Sequence, residues 1–127
     1  MIAEAPDVPG AMTVGKDRAE ALERLQDALV LMLSGCVGQS KPIPRPSKPR
    51  RGQSTVSPPP LVTAKLALYQ VMRRRGISQA QLAARLGCDL RQIRRLLDLD
   101  HPSKVEQIET VLRALGKRLV LDVRSAA

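Results

Sequence analysis

The chain lacks most of the aromatic residues from which compact cores are usually built. Its 127 residues include no Trp, no Phe and a single Tyr, Tyr69, and 43% of them are of the hydrophobic types. A core made of Leu, Val, Ile, Met and Ala suits packed helices better than a β-sandwich or a barrel. The length allows one ordinary domain or two very small ones. We therefore expect a mainly α fold.

Cysteine, histidine and long apolar runs are also scarce. Cys36 and Cys88 form no CxxC pair, and the single histidine, His101, has no ligand neighbours at metal-binding spacing. The longest apolar run, residues 28–33, is far shorter than the ~20 residues of a membrane span, and the N-terminus has no signal-peptide pattern. Neither HExxH nor a glycine-rich phosphate loop is present. These absences predict a cytoplasmic protein that is not an enzyme and that uses no metal, cofactor or membrane.

Positive charge is abundant but unevenly distributed. The chain has 21 Lys plus Arg against 12 Asp plus Glu, a formal net charge of +9. Residues 1–40 carry 3 basic and 6 acidic side chains, residues 41–60 carry 5 and 0, and residues 61–127 carry 13 and 6. Such an excess of positive charge favours a polyanionic partner, and nucleic acid is the first candidate.

A proline-rich stretch, residues 38–60, divides the chain. It holds seven of the ten prolines, five positive charges and no acid, and such a composition buries too little apolar surface to offset the entropy of ordering. We interpret it as a linker, either a spacer or an arm that contacts phosphates. Before it, turn-forming residues and one short extended piece at 11–14 precede a helix predicted over about 18–34.

Four helices and a short strand are predicted after the linker. The helices would cover about 61–75, 78–86, 89–98 and 103–115. Three of them begin with a capping pair: Ser78 with Gln81, Asp89 with Gln92, and Ser103 with Glu106. Alternation over 119–123 is typical of a strand, which would need a partner strand.

The stretch from residue 78 to 97, SQAQLAARLGCDLRQIRRLL, is the most informative part of the chain. Ala83 is small where two helices would approach each other, and Gly87 supplies the backbone angles of a tight turn. The stretch resembles the helix-turn-helix of the Cro and repressor class. Four apolar residues at helical spacing are predicted to point inward: Leu82, Leu86, Ile93 and Leu96.

In that class the second helix enters the major groove of DNA, and the first lies across the backbone. Arginine suits guanine and glutamine suits adenine, whereas Ser78 and Gln79 would contact phosphate. Arg91 and Arg95 are the strongest candidates, and Lys65→Ala is expected to have little sequence-dependent effect. The alternative is that the arginines form an ordinary solvated face. The candidate DNA-binding residues are Ser78, Gln79, Leu90, Arg91, Gln92, Arg94 and Arg95.

The order of these parts resembles the HicB antitoxin family, whose members join a toxin-neutralising domain to a DNA-binding one. Three segments carry the resemblance: residues 6–29 are similar to the family's strand, turn and helix, 41–47 to its proline linker, and 66–121 to its helix-turn-helix. Family members have two further strands before the first segment, so either the start codon is assigned too far downstream or the domain is degenerate.

The resemblance implies three domains and a regulatory function. Residues 1–37 would be a truncated α+β segment, partly ribonuclease-H-like, residues 38–60 the linker, and residues 61–127 the helix-turn-helix domain with a C-terminal strand. The implied protein neutralises HicA, a small mRNA-cleaving toxin, and represses its own operon as a homodimer on double-stranded operator DNA. The strand at 119–123 would pair the two copies.

The resemblance assigns no toxin-binding residue, and two alternatives remain open. The protein could be a stand-alone helix-turn-helix regulator of transcription without a toxin partner. It could also be chiefly an interaction module that masks a toxin, with DNA binding secondary.

Overall fold

A computed structural model describes residues 2–4, 12–14, 18–44, 57–123 and 125 of the chain. The chain divides into two compact units, Met1–Thr63 and Ala64–Ala127. Helices dominate, as the composition predicts. In chain order the elements are β1 (Ile2–Glu4), β2 (Met12–Val14), α1 (Arg18–Gly38), α2 (Pro60–Arg75), α3 (Gln79–Leu86), α4 (Leu90–Leu97) and α5 (Val105–Ala114).

The first unit contains a two-stranded hairpin and a long helix. β1 and β2 are antiparallel, with Ile2 opposite Val14, and α1 packs against both strands. β2 lies within the predicted extended piece, but the sequence analysis expected no strand before it and missed β1. Three residues are too few to show the alternation that marks a strand. The buried residues of α1 recur every four positions and form one stripe: Ala21, Leu25, Leu29 and Leu33.

Much of the predicted linker lies outside the described residues. The parts that are described, 39–44 and 57–59, form neither helix nor strand. α1 begins where the leucine periodicity predicts and continues to Gly38. Within the described ranges, no helix combines the length and the apolarity needed to cross a bilayer.

The four helices predicted after the linker are present, and each end lies within about two residues of its expected position. α2 begins at Pro60 in the first unit, and the second unit contains the rest of α2 with α3, α4 and α5. Its core is aliphatic, with Tyr69 as the one aromatic contributor. Burying a side chain of this kind contributes roughly 1.5–3 kcal/mol relative to leaving it exposed. The buried apolar residues of α2–α5 include Leu66, Leu68, Met72, Leu82, Ala83, Ile93, Leu96, Leu97, Ile108, Val111 and Leu112.

The start of α5 differs from the prediction. Ser103 with Glu106 was expected to cap this helix, but the N-cap is Lys104. The backbone N–H of Lys104 donates to Oε1 of Gln107 at 3.3 Å. Ser103 is buried, and its hydroxyl accepts a hydrogen bond from the ammonium group of Lys65 instead. The Ser103 side chain therefore forms a tertiary contact and does not cap α5 as the local sequence pattern had predicted.

The predicted C-terminal strand is not formed within the second unit. Gly116, with φ 74°, ends α5 in the left-handed region, and residues 117–123 then form neither helix nor strand. Three apolar side chains of this segment face solvent: Val120 (75% exposed), Leu121 (72%) and Val123 (95%). A single strand without a neighbour has no partner for its main-chain hydrogen bonds.

Candidate nucleic-acid interface

Gly87 ends α3 at the start of the turn that leads to α4. This residue has φ 64° and ψ 33°, a left-handed backbone conformation that residues other than glycine rarely adopt. Its N–H donates to the carbonyl of Ala84 at 3.3 Å, and the N–H of Cys88 donates to that of Ala83 at 3.1 Å. These bonds satisfy carbonyls that the end of α3 would leave without partners. The predicted glycine turn is confirmed.

Both helices of the pair are capped at their N-termini. The N–H of Ser78 donates to Oε1 of Gln81 at 2.9 Å, and the N–H of Gln81 donates to Oγ of Ser78 at 3.1 Å. This reciprocal pair is the predicted capping box of α3. Asp89 caps α4, because its Oδ1 accepts from the N–H of Arg91 at 3.1 Å. In the second predicted pair only Asp89 caps the helix, because the side chain of Gln92 accepts no hydrogen bond from the N–H of Asp89.

The inward face of the helix pair closely follows the prediction. Leu82 and Ile93 are completely buried, and Leu96 is nearly so. Ala83 is buried as well, as expected for a small residue where two helices meet. Leu86 is half-buried rather than fully inward.

The outward face of α4 carries the arginines. Arg91, Arg94 and Arg95 are exposed, as is Gln92. Leu90, which was predicted to bind DNA with them, is half-buried. Within the part of the chain that is described, none of the three guanidinium groups forms an ion pair. The result is a cluster of positive charge on one short helix, which we call the α4 arginine face.

The two candidate phosphate contacts on α3 differ in availability. The N–H of Ser78 is already bonded to Gln81 within the capping box. Phosphate contact at Ser78 stays a prediction. Its hydroxyl accepts from Gln81 and keeps its own proton to donate. Gln79 is half-buried at the first position of α3.

Lys65 is a residue whose role the sequence analysis missed. It is 0% exposed, and its Nζ donates to the carbonyl oxygens of Arg95 at 2.8 Å and Asp98 at 2.7 Å. Burial lowers the pKa of Lys65, and the nearby negative charge of Asp98 acts in the opposite direction. The prediction that Lys65→Ala has little sequence-dependent effect did not include this buried network, and it stays a prediction. The sequence signal that could have indicated its burial is its position on α2, at helical spacing from the apolar residues Val62 and Tyr69.

Possible metal-binding and thiol groups show no comparable arrangement. Among the described residues, no cluster of three or more His, Cys, Asp and Glu side chains could hold a metal. Cys36 and Cys88 are half-buried and form no disulfide.

Comparison with known proteins places this chain among the antitoxins of bacterial toxin-antitoxin systems. Residues 2–67 match the family described as the HicB-like antitoxin of such systems. The chain belongs to the HicB-like antitoxin family. This confirms the resemblance inferred from the order of the parts.

Individual relatives extend the match over most of the chain. Antitoxin HicB 2 of Photorhabdus laumondii is 39% identical over 116 residues, which cover 91% of this chain and 82% of the relative. Antitoxin HicB of Pseudomonas fluorescens is 34% identical over 121 residues, 94% of this chain and 83% of the relative. Antitoxin HicB of Escherichia coli K12 is 33% identical over 115 residues, which cover 91% of this chain and 83% of the relative.

Proposed function

We propose that this chain is the antitoxin of a HicA/HicB-type module and that it represses its own operon through α3 and α4. The observation that carries the DNA-binding part is the α4 arginine face. Ile93 and Leu96 bury the opposite side of α4, so the arginines are directed away from the core. Family membership supports the antitoxin part.

Base recognition would come from the exposed side of α4 in the major groove. Arg91 and Arg95 are four residues apart and lie on the same side of the helix. Each guanidinium group can bond two acceptors of a guanine, and Gln92 can pair with adenine. Because the remaining attraction is to phosphate, affinity should fall steeply with salt.

A homodimer would place two such helices on one operator. Near-palindromic sites are read by two copies whose recognition helices are about 34 Å apart. The exposed apolar side chains of Val120, Leu121 and Val123 support pairing of the C-terminal segments, since a second copy would supply the missing neighbour strand. Val123→Asp should then shift the protein toward monomer in light scattering coupled to size exclusion.

The N-terminal unit would bind the toxin, a small mRNA-cleaving protein, in the cytoplasm. Outside its buried stripe, α1 leaves Leu31 73% exposed. Met32, the next residue, is also exposed. An apolar surface of this kind is a suitable place to begin testing toxin contact.

DNA binding is tested by fluorescence anisotropy with the duplex that precedes this reading frame and with a shuffled duplex of the same composition. We expect a preference for the first duplex and a large loss of affinity between about 50 and 200 mM salt. Arg91→Ala should cost ~1–3 kcal/mol on the operator and relax the preference at one base pair.

Arg113→Ala is the matched control for that variant. Arg113 is exposed on α5 and paired with Glu109, so its loss removes the same charge from another helix. Equal losses on both duplexes for Arg91→Ala would argue against base readout. No preference by the wild-type protein would remove the repressor proposal.

Toxin neutralisation is tested by co-expression with the product of the adjacent reading frame. The wild-type chain should restore growth and be retained with the toxin in a pull-down. Leu31→Lys should weaken both, whereas Arg91→Ala should leave both unchanged because its effect is confined to DNA. Failure of the wild-type chain to restore growth would favour the stand-alone regulator.

A further inference from the structure

One positive side chain of α2 ends inside the core and not at the surface. Lys65 is among the largest fully buried side chains of the described residues. A buried ammonium group is strongly unfavourable unless its N–H groups are hydrogen-bonded. The position of Lys65 therefore depends on the contacts at its tip.

Those contacts lie at the C-terminal end of α4. In addition to the two carbonyls, Nζ donates to Oγ of Ser103 at 2.9 Å. The three bonds use all three N–H groups of the ammonium. Arg95 is in the last turn of α4 and Asp98 is its C-cap, where carbonyls have no donor within the helix. Outside the helix, the Asp98 carbonyl also accepts from the N–H of His101 and the Arg95 carbonyl from the hydroxyl of Ser103. A positive charge at this end is also favoured by the helix dipole.

This anchoring gives α4 a definite orientation. The helix has 8 residues, too few to be stable in isolation. Apolar packing of Ile93 and Leu96 holds it against the core, but such packing is non-directional. Hydrogen bonds to main-chain carbonyls are directional and so restrict sliding and rotation. The anchored carbonyl of Arg95 belongs to the residue whose guanidinium group is on the α4 arginine face.

We propose that Lys65 is a positioning residue for DNA recognition, whose ammonium group holds the end of α4 so that Arg91 and Arg95 meet base edges in one orientation. The inference rests on the proposed function, because it concerns the same face of α4. Lys65 itself is buried and touches no DNA. Loss of its ammonium should reduce discrimination between DNA sequences more than overall affinity, because phosphate attraction depends on charge more than on orientation.

Lys65→Met tests this, since it keeps an unbranched side chain and removes the ammonium group. Circular dichroism first shows that the variant is folded. Kd is then measured at low temperature for the operator and shuffled duplexes. We expect the ratio of the two Kd values to fall by about tenfold, the scale of one lost base contact. Kd for the shuffled duplex should stay within about twofold of wild type.

Leu68→Ala is the control for general loosening of the core. Leu68 is on the same helix and is fully buried, but its side chain cannot hydrogen-bond to α4. Its removal should lower stability and leave the Kd ratio of the folded protein unchanged. An unchanged ratio for folded Lys65→Met, or an equal loss for Leu68→Ala, would overturn the inference.

A second variant decides the matter if Lys65→Met does not fold. Ser103→Ala removes one of the three acceptors and should lower the Kd ratio by a smaller factor, whereas an unchanged ratio would overturn the inference. A wild-type protein without operator preference would defeat the proposed function itself. A wild-type preference that Lys65→Met retains in full would defeat only the role of Lys65.

Discussion

The two sides of α4 present positive charge in opposite environments. On the outer side, Arg91, Arg94 and Arg95 are exposed and their charges are available to a partner. On the inner side, Lys65 reaches the end of the same helix and is completely buried. Under our proposals, the exposed charges supply affinity for DNA, whereas the buried charge fixes the orientation of α4. Variants of the two sides should therefore separate loss of binding from loss of stability.

The largest expected effect is on the inner side. Ile93→Ala should lower the free energy of unfolding by ~2–5 kcal/mol, because a fully buried side chain leaves a cavity under α4. Urea unfolding monitored by circular dichroism measures this. Ile93→Val is the control and should lose only ~0.5–1.5 kcal/mol. Similar losses for the two variants would mean that the inner face is not the tightly packed one.

Gly87→Ala should have the next largest effect, at the turn that joins the two helices. Apart from Gly87 and its two chain neighbours, no heavy atom lies within 4 Å of a Cβ added at Gly87, so the cost comes from the left-handed backbone. We expect a loss of roughly 1–2 kcal/mol in unfolding free energy. Gly87→Asn should lose less, because asparagine tolerates this conformation better. Equal losses would point to a cause other than the backbone angle.

Ser78→Ala should lower the unfolding free energy by ~1 kcal/mol, since it removes one half of the capping box. Thermal or urea unfolding gives the value. The Kd ratio for operator and shuffled DNA should change little, because the cap stabilises α3 and α4 carries base contact. A strong loss of specificity in the folded variant would show that Ser78 has a direct role on DNA.

The smallest effect on stability is expected on the outer side. Arg95→Ala should change the unfolding free energy by no more than ~0.5 kcal/mol, because the side chain is exposed and the Arg95 carbonyl still accepts from Lys65. Operator affinity should nevertheless fall, as anisotropy would show. A stability loss comparable to that of Ile93→Ala would erase the contrast between the two sides.

The features that were predicted correctly are local in the chain. The capping pair Ser78–Gln81 joins residues three apart, and the turn at Gly87 needs a glycine at one position. Helix ends followed from the same short-range signals. The exposure of the arginines on α4 follows from helical spacing relative to Ile93 and Leu96.

The features that were missed depend on partners far away in sequence. The bonds of Lys65 join residues separated by 30, 33 and 38 positions, so no local pattern could indicate them. Ser103 belongs to the same hydrogen-bond network and therefore does not cap α5 as predicted. β1 is recognisable through its pairing with β2, because three residues carry too little pattern by themselves.

The amino-acid sequence by itself determined the helices, the capping residues of α3 and α4, the glycine turn and the antitoxin family, because each of these follows from neighbouring residues or from the order of segments. Tertiary structure decided where Lys65 and Ser103 go, since a buried ammonium group must find acceptors wherever folding brings them near. It also decided that residues 117–123 form no strand within their own unit, because a strand exists only beside another strand.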